Sequence, residues 1–482
     1  MTDAAVTMDF YPQPTPGPPK SWAFPVPERG VLANGLTVLR CHRPGQQVVA
    51  VEICLDIPLD SEPSGLDGIA TIMVRALSQG TATHTAEEFA AALERCGATL
   101  DARAGYEGAR LSLEVPVSRL AKALELLAEA LHGPAFADSE VERLVRNRLD
   151  TIPIEMANPG QRAAKQLAAE LFPASARLSR PRQGTEDTVA KIDAAGVRAF
   201  YQAQIRPARA TAVVVGDLTS VDLDAVLAGT LGSWAGNSAG PLLLAPVTAN
   251  ETGRVVIVDR PGAVQTQLLI GRTGPDRHDP VWPSLVVGTY CLGGTLTSRL
   301  DRVLREEKGY TYGVRAAEQV LRSPAPDAPG GATGMSILAV RGSVDTAATG
   351  PALDDLWMVL RTLATEGLTE AERDLAVQNL VGVAPLQYET AAPVAGTLAD
   401  QVEEHLPDDY QAQLYARLAE TSTAEATAAV VAAFPANRLV TILVGDAAQI
   451  RAPVEALGIG PVGLVAGLSA EISGVPTHAQ RL

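Results

Sequence analysis

The chain has 482 residues, with 39 Lys and Arg against 55 Asp and Glu and a formal net charge of −16. Hydrophobic residues make up 46% of it and charged residues 20%, which is typical of a globular protein and not of a disordered or fibrous one. The length favours two or more domains. The acidic balance, without any basic run, is the wrong electrostatic pattern for a nucleic-acid partner.

The four cysteines are scattered without a C-x-x-C pair, so we expect reduced, mostly buried thiols and no disulfide framework. The acidic, proline-rich N-terminus has neither the basic start nor the apolar stretch of a signal peptide or anchor. No later segment has roughly 18 uninterrupted apolar residues. These patterns predict a cytoplasmic protein that does not engage a membrane.

Residues 1–28 predict an extended, proline-rich N-terminal arm. The segment after Gly65 favours a helix, and Thr85 to Glu88 forms a capping box that starts another, which ends at Gly97. The first strand patterns are at 34–40, 46–55, 98–105, 108–115 and 210–218. Further helix patterns are at about 118–132, 138–171 and 192–204.

A second copy of this plan follows a Gly- and Pro-rich stretch, 236–252, that is typical of a linker. Its strand patterns are at 254–260, 264–272, 310–320, 334–344 and 439–447. A helix from about Thr297 to Lys308 and long helices from 347 onward repeat the earlier order.

The closing strands end in similar phrases, VVVGDL at Gly216 and ILVGDA at Gly445. We therefore predict an α+β fold of two similar domains of about 220 residues, each a mixed or antiparallel sheet flanked by helices. The predicted domains are 29–235 and 253–460, followed by a C-terminal tail at 461–482.

The phrase GLDGIATIMVRALSQGT, residues 65–81, resembles the pitrilysin (insulinase) family, which includes insulin-degrading enzyme and mitochondrial processing peptidase. The resemblance implies that both domains together form one half of a clamshell. The Gly-Ile-Ala lead and the closing Gly-Thr of the family's phrase are kept. Its inverted zinc motif, His-x-x-Glu-His, falls on Thr71, Val74 and Arg75.

The family's third zinc ligand, a glutamate in a phrase similar to VERLVRNRLDT, falls on Thr151. Hydroxyl, aliphatic and guanidinium groups cannot replace zinc ligands, so we expect no metal or other cofactor in this chain. Pro153 predicts a kink beside that position. No H-x-x-x-H pair exists, and the adjacent pair His84 and Glu87 is better explained by a helix N-terminus than by a metal.

Residues 259–313 resemble the C-terminal half of the same family over a long span, including Leu-Gly-Gly, Ser-Arg-Leu and Gly-Tyr-x-Tyr-Gly. The resemblance implies that Arg305 and Tyr312 face the zinc of another half and stabilise the charge that develops on the scissile carbonyl. We expect Arg305 in the last turn of a helix and Tyr312 on the following strand. The alternative is an arginine offsetting the helix dipole and a tyrosine packed on the sheet.

Two glycine-rich features are weaker evidence of function. Gly293-Gly294 favours a tight turn, not a phosphate site, because no Walker lysine follows. The loop 323–334 is only loosely similar to the substrate-contacting loop of a processing-peptidase subunit, and an ordinary surface loop remains equally open.

These observations favour the zinc-free subunit of a heterodimeric metalloendopeptidase that is inactive alone. Its partner would be a homologue with an intact His-x-x-Glu-His and Zn²⁺, and its substrate an unfolded peptide, with leader-peptide removal as one role. The rival is a catalytically silent scaffold or peptide-binding protein similar to core subunits of the cytochrome bc1 complex. An independent metallopeptidase with an unorthodox site is disfavoured by the missing ligands.

Overall fold

The computed structural model describes residues 22–236, 244, 246–325 and 332–467. Most of the predicted N-terminal arm, most of the predicted tail and the centre of the 323–334 loop lie outside the described residues. Two six-stranded sheets organise the rest, each formed from one half of the chain. Both are mixed sheets flanked by helices, as the sequence predicts.

The first sheet has the strand order β1-β2-β6-β3-β5-β4. Its strands are β1 (Glu28–Val31), β2 (Thr37–His42), β3 (Val48–Leu55), β4 (Thr99–Ala104), β5 (Ala109–Pro116) and β6 (Ala210–Gly216). Its helices are α1 (Ile69–Ala76), α2 (Ala86–Arg95), α3 (Leu120–His132), α4 (Asp138–Ala157), α5 (Pro159–Leu171), α6 (Glu186–Val189), α7 (Ala194–Gln204) and α8 (Leu223–Gly229). The capping box at Thr85 is present, since its hydroxyl accepts the Glu88 N–H and the Glu88 carboxylate accepts the Thr85 N–H.

The second sheet has the order β12-β7-β11-β8-β10-β9. Its strands are β7 (Arg254–Asp259), β8 (Gln265–Gly274), β9 (Val314–Arg322), β10 (Met335–Asp345), β11 (Val440–Gly445) and β12 (Val462–Val465). Its helices are α9 (Trp282–Gly293), α10 (Arg299–Asp301), α11 (Thr349–Glu366), α12 (Glu370–Gly382), α13 (Ala384–Gln387), α14 (Ala391–Glu403), α15 (Tyr410–Glu420), α16 (Thr423–Ala433) and α17 (Ala447–Ala456). A π-helical segment, Arg302–Glu307, continues α10.

Five adjacent positions of the two sheets, from β2 to β4 in the first and from β7 to β9 in the second, correspond strand for strand, as a duplicated plan predicts. Gly216 and Gly445 end equivalent strands, and their carbonyls accept equivalent hydrogen bonds from Arg43 and Arg260, both of 2.7 Å. A Cβ at either glycine would press on the neighbouring strand, at 2.9 Å from Val49 in the first sheet. The repeated glycine therefore marks a close approach that larger residues would obstruct.

Several predicted boundaries need correction. The expected helix 138–171 is two helices, because Pro159 opens α5 and the Asn158 side chain caps it by accepting the Gln161 N–H at 3.1 Å. The helix continues through Pro153 to Ala157. The predicted tail contributes β12, which pairs in parallel with β7. The predicted arm ends in β1, which pairs with β2.

Each sheet is covered on one face by helices of its own half and on the other by a helix of the opposite half. Helix α14 packs on β3 and β6 of the first sheet, and α5 packs on β8 and β11 of the second. Both helices contribute to buried apolar clusters there. This reciprocal packing joins the halves through apolar surface removed from water.

The described end of the N-terminal arm packs on the second half. Trp22 stacks on Tyr388 with ring centroids 5.8 Å apart, and Phe24 meets the same ring edge-on at 4.9 Å. All four cysteines are buried and unpaired, as expected. Among the described residues, no helix is long and apolar enough to cross a bilayer.

Candidate functional site

Helix α1 carries the first three positions of the family's zinc motif. Thr71 and Val74 are buried, at 2% and 0% exposure, whereas Arg75 is exposed. The helix starts after Gly68, and the N–H groups of Gly68 and Ala70 donate to one carboxylate oxygen, Glu62 Oε1, at 3.0 and 3.1 Å. A carboxylate at this end satisfies amides that have no partner within the helix.

A buried ion-pair network surrounds the start of α1. The Arg177 guanidinium donates to Glu62 at 2.8 Å, and Arg180 donates to Asp67 at 2.5 Å. The side chains of Glu62, Asp67 and Arg177 are at most 5% exposed. Burial raises the pKa of Glu62, and the Arg177 charge and the Ala70 and Gly68 amides offset this only in part. The charges of Glu62, Asp67 and Arg177 are therefore paired within the interior of the protein.

The fourth motif position, Thr151, lies on α4, which packs against α1. Thr151 is exposed, and its hydroxyl donates to the Asn147 carbonyl at 2.7 Å within its own helix. Arg148 and Glu155 lie one turn to either side and form a bidentate pair of 2.6 and 2.8 Å. Arg148 is 5% exposed, so a buried cation stands next to the position where the family has a metal ligand.

The groups at these four positions do not fit zinc. The Thr71 hydroxyl is buried without a hydrogen-bond partner, Val74 has no donor atom, and Arg75 carries a positive charge. Across the part of the chain that the structure describes, no three His, Cys, Asp or Glu side chains are grouped so as to hold a metal. The His84 ring nitrogen Nδ1 contacts Glu129 at 2.8 Å, and Glu87 lies in the first turn of α2.

Arg305 lies in the π-helical segment, in which the Lys308 N–H donates at 3.1 Å to the Val303 carbonyl, five residues back instead of the four of an α-helix. The segment closes with two bonds, from the Gly309 N–H to the Arg305 carbonyl at 3.1 Å and from the Tyr310 N–H to the Leu304 carbonyl at 2.9 Å. Gly309 has φ +67°, a left-handed conformation that is typical of the residue after a helix. Leu300 and Leu304 are fully buried beneath the helix.

Tyr312 is placed differently from the prediction. It lies in a bend two residues before β9, not on the strand, because β9 begins at Val314. The residue is 92% exposed, which rules out the alternative of a tyrosine packed on the sheet. The side chain of Arg305 is 36% exposed, and its Nη1 lies 3.8 Å from Glu306. Both side chains are therefore accessible from outside the chain.

The bend that carries Tyr312 is fixed by side chains that sequence reasoning missed. The Thr311 hydroxyl donates to the Ser343 carbonyl on β10 at 2.7 Å and accepts the Gly313 N–H at 3.0 Å. Asp301, fully buried in α10, accepts the Val314 N–H at 2.7 Å and pairs with Arg315. The available signal was an aspartate next to the apolar Leu300 of the predicted helix.

A serine, a histidine and an aspartate also meet at the start of the 323–334 loop. Asp276 Oδ2 contacts the Ser323 hydroxyl at 2.8 Å and His278 Nδ1 at 3.0 Å. His278 Nε2 lies 3.2 Å from the His405 carbonyl, and Ser323 is fully buried. A hydrolytic triad places its nucleophile and its acid on opposite ring nitrogens. Here Ser323 and Asp276 both contact Nδ1, at 3.1 and 3.0 Å, so the cluster lacks the geometry of a hydrolytic triad and instead joins three loops.

Two family models match the chain. One, described as insulinase (peptidase family M16), matches residues 37–182, and the other, described as the peptidase M16 inactive domain, matches residues 191–380. An uncharacterized zinc protease of Mycobacterium leprae is 27% identical over 364 residues, 73% of this chain and 77% of that protein.

Solved structures show the same fold. A peptidase M16 inactive domain from Pseudomonas fluorescens superposes with a TM-score of 0.77 and 22% identity, over 87% of this chain and 98% of its own. A protease from Helicobacter pylori gives 0.77 and 18% identity, over 88% and 100%. Both halves of the sequence are thus matched within one family, and the chain belongs to the insulinase family of peptidases, peptidase family M16, with an inactive-type domain at residues 191–380.

Proposed function

We propose that this chain is the zinc-free subunit of a heterodimeric M16 metalloendopeptidase and supplies Arg305 and Tyr312 to the active site of its partner. The observation that carries the proposal is the exposure of Tyr312, at 92%, on a bend whose backbone is fixed on both sides. An aromatic side chain gains no burial energy in such a position. Its placement is explained by a contact outside the chain.

The chemistry of the pair suits peptide hydrolysis. A phenol O–H and a guanidinium are both hydrogen-bond donors, and negative charge develops on the carbonyl oxygen as the peptide bond is attacked. Fixed donors stabilise that charge without reorganising at the moment of reaction. Among the described residues, the carboxylate that pairs with Arg305 is the exposed Glu306, at 3.8 Å, so the charge of Arg305 remains available to a substrate.

The degenerate positions support a division of labour between two chains. Thr71, Val74, Arg75 and Thr151 offer no ligand set for zinc, so the metal belongs to a homologous partner with an intact His-x-x-Glu-His. The two chains would close as a clamshell around an unfolded peptide. Removal of leader peptides during peptide maturation is the role we assign within that substrate class.

Reconstitution tests the proposal. The chain, a homologous subunit with the intact motif, and their mixture are each assayed on an unfolded peptide, and zinc is measured in each sample. We expect hydrolysis only in the mixture and zinc only in the partner. Stoichiometric, activity-linked zinc in the isolated chain would contradict the proposal. A stable complex that binds peptide and never cleaves it would favour the scaffold role instead.

A further inference from the structure

Asp301 connects the two parts of the chain that carry Arg305 and Tyr312. It lies in α10, one helical turn before Arg305, and its side chain is fully buried. One carboxylate oxygen accepts the Val314 N–H at 2.7 Å, and the other pairs with Arg315. Val314 and Arg315 are the first residues of β9, directly after the bend with Tyr312. One buried carboxylate thus links the helix to the end of the bend.

We propose that Asp301 is a positioning residue that sets the Tyr312 phenol relative to the Arg305 guanidinium. This inference rests on the proposed function, because it assigns Asp301 a role in the same transition-state contact. Asp301 touches neither substrate nor partner. It acts by fixing where the bend leaves the helix.

Asp301 holds the β9 end of the bend, because the other contacts lie at its start and in its middle. The start of the bend is held by the Tyr310 N–H, which donates to the Leu304 carbonyl at 2.9 Å. The middle is held by the Thr311 hydroxyl on β10. Gly313, which follows Tyr312, has no side chain to restrain it. Its N–H bonds within the bend, to the Thr311 hydroxyl at 3.0 Å, so the bond from Val314 to Asp301 is the first that ties the backbone after Tyr312 to the helix.

A buried carboxylate is a costly way to make one hydrogen bond. An ion pair removed from water commonly contributes little net stability compared with an apolar replacement. A carboxylate that accepts a backbone N–H and a guanidinium does, however, fix direction, because each oxygen holds a different donor. Positional precision matters here because a displacement of about 1 Å from the productive geometry can cost about 100-fold in rate.

The main test replaces Asp301 in the two-subunit complex. Asp301→Asn keeps the size and one acceptor oxygen but loses the charge that holds Arg315. We expect kcat to fall roughly tenfold with KM changed less than about twofold, since the lost contact acts in the transition state. In a Tyr312→Phe background, Asp301→Asn should have almost no further effect on kcat, because no phenol remains to be misplaced.

A matched control separates positioning from general destabilisation. Asp67 is also a buried carboxylate paired with a partly exposed arginine: its side chain is 3% exposed and that of Arg180 is 36%, against 0% for Asp301 and 37% for Arg315. Asp67 lies in the first half, before α1. We expect Asp67→Asn to lower thermal stability by a similar amount and leave kcat unchanged.

Hydrogen exchange on the full isolated chain gives a second readout that does not depend on activity. In Asp301→Asn, the amides of residues 310–314 should exchange at least several-fold faster, and in Asp67→Asn they should not change. Equal exchange in both variants, or an equal loss of kcat from Asp301→Asn with Tyr312 and with Phe at that position, would overturn the positioning role. If Tyr312→Phe itself leaves turnover unchanged, the proposed function fails, and the catalytic part of this inference fails with it.

Discussion

The two halves of the molecule share a strand order but treat their key positions in opposite ways. In the first half, Glu62 and Arg177 pair beneath α1, and the exposed Thr151 bonds to its own helix. In the second half, the buried Asp301 holds a bend that presents Tyr312 to the outside. Charges that are neutralised internally offer little to a substrate. Under the proposed function, the groups that act on a substrate therefore lie in the second half.

Two paired carboxylates, one in each half, have pKa values shifted in opposite directions. Burial raises the pKa of Glu62 despite its partners. Burial also acts to raise the pKa of Glu372, on α12, but hydrogen bonds from Arg299 and Thr369 outweigh it and lower that pKa to about 2. Arg299 lies at the start of the helix that carries Arg305. The ion pair between Arg299 and Glu372, next to Arg305 in the chain, is therefore between two charged groups at neutral pH.

Removing Glu62 should have the largest effect on stability. Among the described residues, Glu62→Ala leaves the buried Arg177 with one paired carboxylate, Asp67 at 3.4 Å, and it also removes the cap of α1. We expect a loss of about 3–5 kcal/mol in the free energy of unfolding, measured by urea denaturation. An exposed pair serves as control: Glu125→Ala, which loses Lys122 as its partner, should cost about 0.5 kcal/mol or less. A small effect of Glu62→Ala would contradict the conclusion that this buried ion-pair network stabilises the first half.

The Glu372 pair should contribute less, and its contribution should depend on pH. Because its folded pKa of about 2 is below the ordinary value of 4.5, the pair stabilises above about pH 4.5, and this contribution is lost as the pH falls toward 2. Glu372→Gln should therefore cost about 1–3 kcal/mol at pH 7 and much less near pH 2. Urea denaturation at both pH values measures the difference. A cost that does not depend on pH would show that packing, and not charge, holds Arg299.

Thr71 should give the smallest effect. Its buried hydroxyl has no hydrogen-bond partner, so Thr71→Val removes an unsatisfied polar group at nearly constant shape. We expect the free energy of unfolding to rise by up to about 1 kcal/mol, by thermal or urea denaturation, with turnover of the complex unchanged. A loss of turnover would instead assign the first half a direct part in the reaction.

Much of the fold could be predicted from alternation and from the repeated order of strands and helices. The edge strands β1 and β12 could not, since four residues each without clear alternation gain their structure from pairing with a neighbour. The break at Asn158 had a signal, an Asn-Pro step, that was overridden by a continuous helical pattern. Helix α4 continues through Pro153 to Ala157, so the proline does not end it, and the kink expected there stays a prediction.

The candidate site was only partly predictable. The resemblance located Arg305 and Tyr312, but aromatic and Thr residues favour strands, so the bend at Tyr312 was missed. That bend depends on the Thr311 hydroxyl and on Asp301, contacts between distant parts of the chain. The network of Glu62 with Arg177 joins residues far apart in sequence, which no local pattern indicates. Such side-chain pairs become visible only once the fold brings their elements together.

The most direct test of the central claim is kcat of the two-subunit complex with Tyr312→Phe. Because Tyr312 is exposed, the change should leave the free energy of unfolding within about 0.5 kcal/mol. The account predicts that kcat falls by about tenfold or more while assembly with the partner is preserved, since an oxyanion donor is lost. Unchanged turnover in an intact complex would contradict the claim that this chain completes its partner's active site.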